Sequence, residues 1–284
     1  MYYPNLKTSD SELRAIKHLA KDAKRGTIPV FELTRSRRTK ALPMGSLKKR
    51  LQQLLENYGG SPYILDLCTQ DELMNSETIA LFSEQDGYEN WRAFLKESAG
   101  ENVIPCVLYE EDGSKENFQK QAIYLRDEYG KVCLRTSATD DLAQRLMIWL
   151  SEVISQDQIV VCALLYYIEP GRLDYYKELC RNYMRDVVGN RNPSAIMFPS
   201  SSFPRVVTDL PGCEDDTGTF SSHELALDDW LQEQFPNRHV QDSDFAAVHP
   251  IRYPASGGNW IPRIDIFTGS GFRYMRVRRN NGGY

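Results

Sequence analysis

Short apolar runs alternate along this chain with stretches whose apolar residues recur every three or four positions, and that rhythm constrains the fold more than any other feature. Strand-length runs separated by amphipathic helices are the signature of an α/β fold with a parallel sheet. Strands are expected over residues 2–7, 27–33, 63–67, 102–109, 131–136, 158–168, 194–198 and 245–251. The run at 158–168 is apolar throughout most of its length, as a strand covered on both faces would be. Ser11 is placed to cap a first helix carrying Leu13, Ile16, Leu19 and Ala20 at helical spacing. Further helices are expected over 47–58, 89–97, 116–129, 172–188 and 222–235, and over 140–154 with Asp140 and Asp141 at the positive end. Residues 260–279 read as a β-hairpin turning at Gly269-Ser270-Gly271.

Eight strands separated mostly by helices in fewer than 300 residues point to a (β/α)8 TIM-barrel-like domain, with an open doubly wound sheet as the alternative. No linker or composition break divides the chain, so one domain is expected, a barrel over 1–255 with a C-terminal hairpin over 256–284. Long connections at 34–46, 70–88 and 199–221 follow strands, which would put them on the barrel's C-terminal face, where function concentrates.

Composition excludes several classes. At 41% hydrophobic and 26% charged, the chain is neither disordered nor collagen-like. A net charge of −5 argues against a globally basic nucleic-acid binder while leaving local basic patches open. The six cysteines are scattered without a C-x-x-C pair, and four lie in or at the end of apolar strand-like runs, so buried structural thiols and a reduced, cytoplasmic protein are expected. No secretory signal is visible at Met1-Tyr2-Tyr3-Pro4-Asn5, and the longest apolar run, residues 159–168, is too short to span a bilayer as a helix, so no membrane partner is expected.

Tyr3-Pro4-x-Leu6-Lys7, Ile28-Pro29-x-Phe31-Glu32, Ser202-Phe203-Pro204 and His249-Pro250 follow in an order that resembles the beta family proteins, a bacterial and phage-associated family. The resemblance covers nearly the whole chain. It implies a barrel-like α/β fold and a link to phage–host conflict, such as antiviral defence. Two positions depart from the family pattern: Leu164-Leu165-Tyr166 stands where the sixth strand would end in an Asp, and Ile266 precedes Phe267-Thr268 where a basic residue would stand.

Side chains at barrel strand ends are the natural candidates for chemistry: Lys7, Glu32, Asp66, Glu110, Arg135, Ser201 and the region of Asp244. Glu32 and Asp66 sit inside apolar strands, so they need partners or shifted pKa values, and Lys7, Arg35 and Arg135 are available. One reading makes Glu32 and Asp66 general acid and base, with Lys7, Arg35, Arg135 and the hydroxyl of Ser201 holding a phosphorylated or nucleotide-like ligand. The other makes the charges a salt-bridge network closing the barrel top. Residues 35–50 hold seven basic residues and no acidic one, among them Arg37 and Arg38, which suits phosphate or a nucleic-acid backbone or else a solvated loop. Arg273, Arg276, Arg278 and Arg279, interleaved with Phe272 and Tyr274, suit single-strand stacking, although strand alternation explains them equally. Ser200, Ser201 and Ser202 could offer hydroxyls to a phosphate or form a Pro-punctuated turn.

His18, His223, His239 and His249 show no metal-binding spacing, and His223-Glu224 reads as a capping or surface pair. A hard metal at Glu32, Asp66 and Glu110 requires those carboxylates to converge. The acidic loop of Asp209, Glu214, Asp215 and Asp216 reads as solvent-facing. No P-loop, G-x-G-x-x-G or G-x-S-x-G is present, so the sequence names no cofactor and does not decide whether the chain is an enzyme. Three functions stay open: a binding or catalytic pocket for a phosphorylated ligand, a non-catalytic protein or nucleic-acid interaction module, and a metal-dependent nucleic-acid-processing enzyme.

Overall fold

The computed structural model describes residues 1–206, 210, 215–252 and 263–277. Alternation of strand and helix organises it. In chain order the first half runs β1 (Asn5–Lys7), α1 (Asp10–Lys17), α2 (Lys21–Arg25), β2 (Val30–Leu33), α3 (Leu47–Tyr58), β3 (Tyr63–Leu67), α4 (Ser76–Leu81), α5 (Gln85–Ser98), β4 (Val103–Pro105) and α6 (Lys115–Tyr129). The second half continues β5 (Val132–Ser137), α7 (Ala143–Ser151), β6 (Ile159–Leu164), β7 (Tyr166–Tyr167), α8 (Leu173–Tyr183), β8 (Ala195–Met197), β9 (Ser200–Ser201), β10 (Thr217–Ser221), α9 (His223–Gln234), β11 (Val240–Gln241), β12 (Arg263–Phe267) and β13 (Gly271–Arg276).

The α/β class holds. Two four-stranded parallel sheets form, one ordered β1-β2-β3-β4 and the other β11-β8-β6-β5. They meet at two places. Cys106 pairs in parallel with Cys133, with the Val107 amide donating to the Cys133 carbonyl at 3.0 Å. Tyr2 pairs in parallel with Asp242, and the Tyr3 and Asn5 amides donate to the Asp242 and Asp244 carbonyls at 2.9 and 2.7 Å.

Each strand divides its side chains by alternation. Phe31, Leu33, Leu65, Leu67 and Leu134 pack into the large cluster that includes the helices. Val30, Ile64, Cys133, Cys162 and Met197 join a second cluster with Tyr3, Cys106 and Phe245, drawn from both sheets. Helices α3 and α5 supply the first cluster with Leu47, Leu51, Leu54, Trp91 and Leu95, all essentially without exposure. By the same alternation, Glu32, Asp66 and Arg135 lie on the face of Val30, Ile64 and Cys133, one pleat further along.

Several expectations need correction. The eighth strand is not 245–251 but β11, because Val240 and Gln241 supply the register against Ile196 and Met197; Phe245 instead packs beyond the strand end, its ring 6.1 Å from Tyr166. The strand expected over 158–168 breaks at Leu165, whose amide turns to the Pro199 carbonyl, and resumes as β7 against β9. Ser9, not Ser11, caps α1, its hydroxyl accepting from the Glu12 amide. The helix expected over 172–188 ends at Tyr183 and continues as a π-turn over Met184–Val188. The connection 199–221 is not all loop. It contains β9 and β10, and β10 joins the C-terminal hairpin in an antiparallel sheet ordered β10-β13-β12. The hairpin itself forms as expected, with Gly269 in the left-handed region (φ 88°) and the Thr268 amide on the Gly271 carbonyl at 2.8 Å. Cys213, Arg278 and Arg279 lie outside the described residues.

Five cysteines, Cys68, Cys106, Cys133, Cys162 and Cys180, are free and buried. Burial pushes the Cys68 thiol up to about 12, so it stays protonated and behaves as a small apolar filler. Among the described residues no helix is long and apolar enough to cross a membrane.

Candidate functional site

Parallel register places Lys7 beside Glu32 and Glu32 beside Asp66 in one row across β1, β2 and β3. Two carboxylates side by side in a buried row repel unless cations are interposed. Arg135 on β5 meets that need. One guanidinium nitrogen pairs with Glu32 and another lies 2.9 Å from Asp66 Oδ2. Lys7 Nζ stands 3.4 Å from Glu32 Oε2 and also donates to the Pro250 carbonyl. All four side chains are at most 12% exposed. Burial opposes the Glu32 charge, but Arg135 and Lys7 outweigh it and hold the carboxyl below its ordinary value. At Asp66 burial wins over Arg135, and the carboxyl is raised. The asymmetry follows the partners, since Glu32 has two cations and Asp66 has one.

Arg35 does not join this quartet. It sits with Arg37 and Arg38 on the loop after β2 and lines a separate cavity of about 790 Å³. Arg14 of α1, Arg50 of α3 and Arg252 beyond β11 line it too, against Asp10 and Glu72. Arg50 is buried and pairs with Asp10 Oδ1 at 2.6 Å, while its Nε has no partner among the described residues. The hydrogen bond from Arg50, with the charges of Arg37 and Arg14, holds the Asp10 carboxyl below its ordinary value. Partial burial and the charges of Arg38 and Arg252 pull the Arg35 guanidinium down. The first turn of α1, through Ser9, Asp10 and Ser11, borders the same cavity and adds the positive end of a helix.

A smaller cavity of about 250 Å³ lies over the ends of β3, β5 and β6 and the segment after β4. Asp66 and Arg135 border it, as do Tyr109, Asp140 and Tyr166, none of which the sequence had singled out as functional. Tyr109 donates to Asp140 Oδ2 at 2.9 Å. Aromatic residues just past strand ends are the signal that could have found Tyr109 and Tyr166.

Other candidates sit elsewhere. The Ser201 hydroxyl donates to the Val248 carbonyl and accepts from the Phe203 amide, both at 3.0 Å, so it clasps a loop. The Ser202 hydroxyl donates to the buried Glu224 and accepts from the His223 amide, which closes the start of α9. Arg276 lies on β13, 3.6 Å from Asp216 Oδ1 and on the Asp215 carbonyl, in a different sheet from Arg37 and Arg38. Asp209 and Glu214 are outside the described residues. Among the described residues no three His, Cys, Asp or Glu side chains gather as a metal site, so Glu32, Asp66 and Glu110 do not meet as ligands. Asp244 accepts from the Tyr2 hydroxyl and the Ala246 amide.

A family model described as Beta protein matches residues 2–284. The chain belongs to the Beta protein family. Among curated proteins it is similar to Protein beta of Enterobacteria phage P4, with 22% identity over 281 residues, 97% of this chain and 74% of that protein. The match spans both sheets, the charged quartet and the arginine cavity of this Beta family member.

Proposed function

We propose that this Beta family member is a (β/α)8 barrel whose C-terminal mouth binds a phosphate-bearing ligand through Arg14, Arg35, Arg37, Arg38, Arg50 and Arg252. Support for the barrel comes from the two parallel seams between the sheets and from an inner apolar cluster drawn from both. One observation carries the ligand reading: six arginines and two carboxylates line one cavity of about 790 Å³ in a chain of net charge −5. Uncompensated guanidinium groups repel one another, and an anion placed among them relieves that repulsion. Their planar donor forks match phosphate oxygens in pairs.

Among the described residues none that lines this cavity is aromatic, which favours a ligand read through its phosphates over a single strand stacked on rings. Glu32, Asp66, Lys7 and Arg135 pair as two carboxylates with two cations, so in this reading Glu32 and Asp66 anchor Arg135 and brace the mouth instead of exchanging protons with substrate. The phage origin of the relative suits a setting in phage–host conflict, and buried thiols suit a cytoplasmic one.

Calorimetric titration with tripolyphosphate, ATP and a short oligothymidylate tests the proposal. Tripolyphosphate and ATP are expected to bind, and Arg37→Ala/Arg38→Ala to weaken both at least tenfold with an unchanged melting temperature, since both residues are exposed. No heat from either phosphate compound would refute it, and oligothymidylate binding alone would replace it with a nucleic-acid interface.

A further inference from the structure

The geometry points to a second ligand site, in the 250 Å³ cavity over the ends of β3, β5 and β6, that takes a nucleobase-class heteroaromatic ring. The inference is independent of the arginine cavity and uses none of its six arginines.

Size sets the first limit. Pockets for drug-sized ligands start at about 300 Å³, so this one encloses a single ring system and leaves any larger part of a ligand outside it. Charge sets the second. Asp66, Asp140 and Arg135 border the cavity, giving more carboxylate than cation, which disfavours an anion. The ligand therefore carries no phosphate at this position.

The walls then select a planar group. Tyr109, Tyr166 and Phe82 line the cavity together with aliphatic side chains, and aromatic rings stack on the faces of bases. Tyr166 holds a left-handed backbone conformation (φ 60°), where a tyrosine is strained, and its ring stacks on Phe245 at 6.1 Å and 16°. The strain occurs where the chain leaves β6 for β7, and the stack beneath the ring fixes Tyr166 at the cavity's edge. Tyr109 is fixed in turn by its bond to Asp140.

Polar groups supply an edge to read. Arg135 is 8% exposed and engages Glu32 and Asp66 through its terminal nitrogens, while its Nε has no acceptor among the described residues. That Nε is enclosed, so the edge falls to the Ser137 hydroxyl, which lines the cavity and can donate to a ring nitrogen or carbonyl. Asp140 accepts from Tyr109 and from the Leu142 amide, and a carboxylate has further lone pairs for a ring N–H or amino group. A donor beside an acceptor at the rim of an aromatic slot fits a base, with its alternating acceptors and donors, better than an aliphatic sugar.

Saturation-transfer NMR on the full chain with adenosine, guanosine, cytidine and uridine tests the site, because these probes carry bases without phosphate. We expect base protons of at least one nucleoside to show transfer, and Ser137→Phe, which fills the cavity from its rim, to abolish it while circular dichroism shows a native fold. Arg37→Ala/Arg38→Ala should leave the signal intact, which separates this site from the phosphate-binding one. If Ser137→Phe fails to fold, Tyr109→Ala serves in its place. Absence of transfer for all four nucleosides, or transfer that survives in the folded cavity-filling variant, overturns the inference.

Discussion

Removing Arg135 tests the logic of the charged row directly. Glu32 and Asp66 are register partners on neighbouring strands, and strands in a sheet lie about 4.8 Å apart. In Arg135→Met the one cation paired with either carboxylate among the described residues is Lys7, 3.4 Å from Glu32, and Asp66 keeps only the Leu67 amide. Leaving a buried charge without its partner costs about 3–5 kcal/mol. Unfolding entropy of about 2.1 cal/mol/K per residue over 284 residues gives roughly 0.6 kcal/mol/K, so the melting temperature should fall by about 5–8 °C at pH 7.5. The loss should depend on pH. In the native chain the depressed Glu32 carboxyl contributes stability that is present above its ordinary pKa and lost as pH falls through the folded value. Without Arg135, burial and the facing carboxylate push Glu32 and Asp66 up, so protonation near pH 5 relieves the variant and narrows its deficit. Replacing the row together, as Glu32→Gln/Asp66→Asn/Arg135→Met, removes the unpaired charges and should recover most of the loss. Calorimetric melts of the three proteins at both pH values provide the reading. An Arg135→Met protein that melts with the native chain at pH 7.5, or whose deficit is the same at pH 5, would show that the row is solvated and the reasoning wrong.

Three further outcomes follow from other parts of the molecule. Burial and the nearby Asp242, Asp244 and Glu224 push the Asp228 carboxyl up to about 9, so its contribution to stability is full below the ordinary carboxylate pKa and is lost as pH rises through the raised folded value; Asp228→Asn should therefore melt above the native chain by a margin that grows from pH 5 to pH 9, and a constant or reversed margin in a thermal-shift series counts against it. A Cβ on Gly218 would meet the Tyr274 ring at 2.7 Å, so Gly218→Val should cost about 1–3 kcal/mol of overpacking and speed proteolytic cleavage in the β10-β13-β12 sheet, whereas unchanged cleavage would show that the ring moves aside. Raising salt should weaken tripolyphosphate binding to the native chain more steeply than to Arg37→Ala/Arg38→Ala, because fewer charges are then in play; parallel salt slopes by calorimetry would deny those arginines a part in the site.

Much of the fold was legible because its cause is local. Residues 63–67 and 47–58 match β3 and α3 to the residue, since Tyr63–Leu67 is an uninterrupted buried strand and Leu47, Leu51 and Leu54 share one helix face ended by Gly59-Gly60. The eighth strand was not legible. Val240–Gln241 is two residues long and carries no pattern of its own, so its place depends on Ile196 and Met197, which lie far away in sequence. β10 was hidden for a related reason. Its burial alternates weakly and its pairing partner, β13, comes more than fifty residues later.

The site divided along the same line. The apolar residues around Glu32 and Asp66 announce that they need cations, so Lys7, Arg35 and Arg135 could be named as partners, whereas the adjacency of the two carboxylates comes from the β2–β3 register. Arg35 could not be separated from Arg135 in the same way. Arg35 follows β2 and Arg135 lies near the end of β5, so both read as strand-end cations, and only the packing shows that Arg135 turns to the carboxylates while Arg35 faces other arginines. The distinction matters chemically. A cation already neutralised by two buried carboxylates holds its neighbours in place and offers little to a phosphate, whereas a cation crowded by like charges gains from every anion that enters. In this chain the sign of the surroundings, more than the type of the residue, separates Arg135, held between Glu32 and Asp66, from Arg35, set among other arginines.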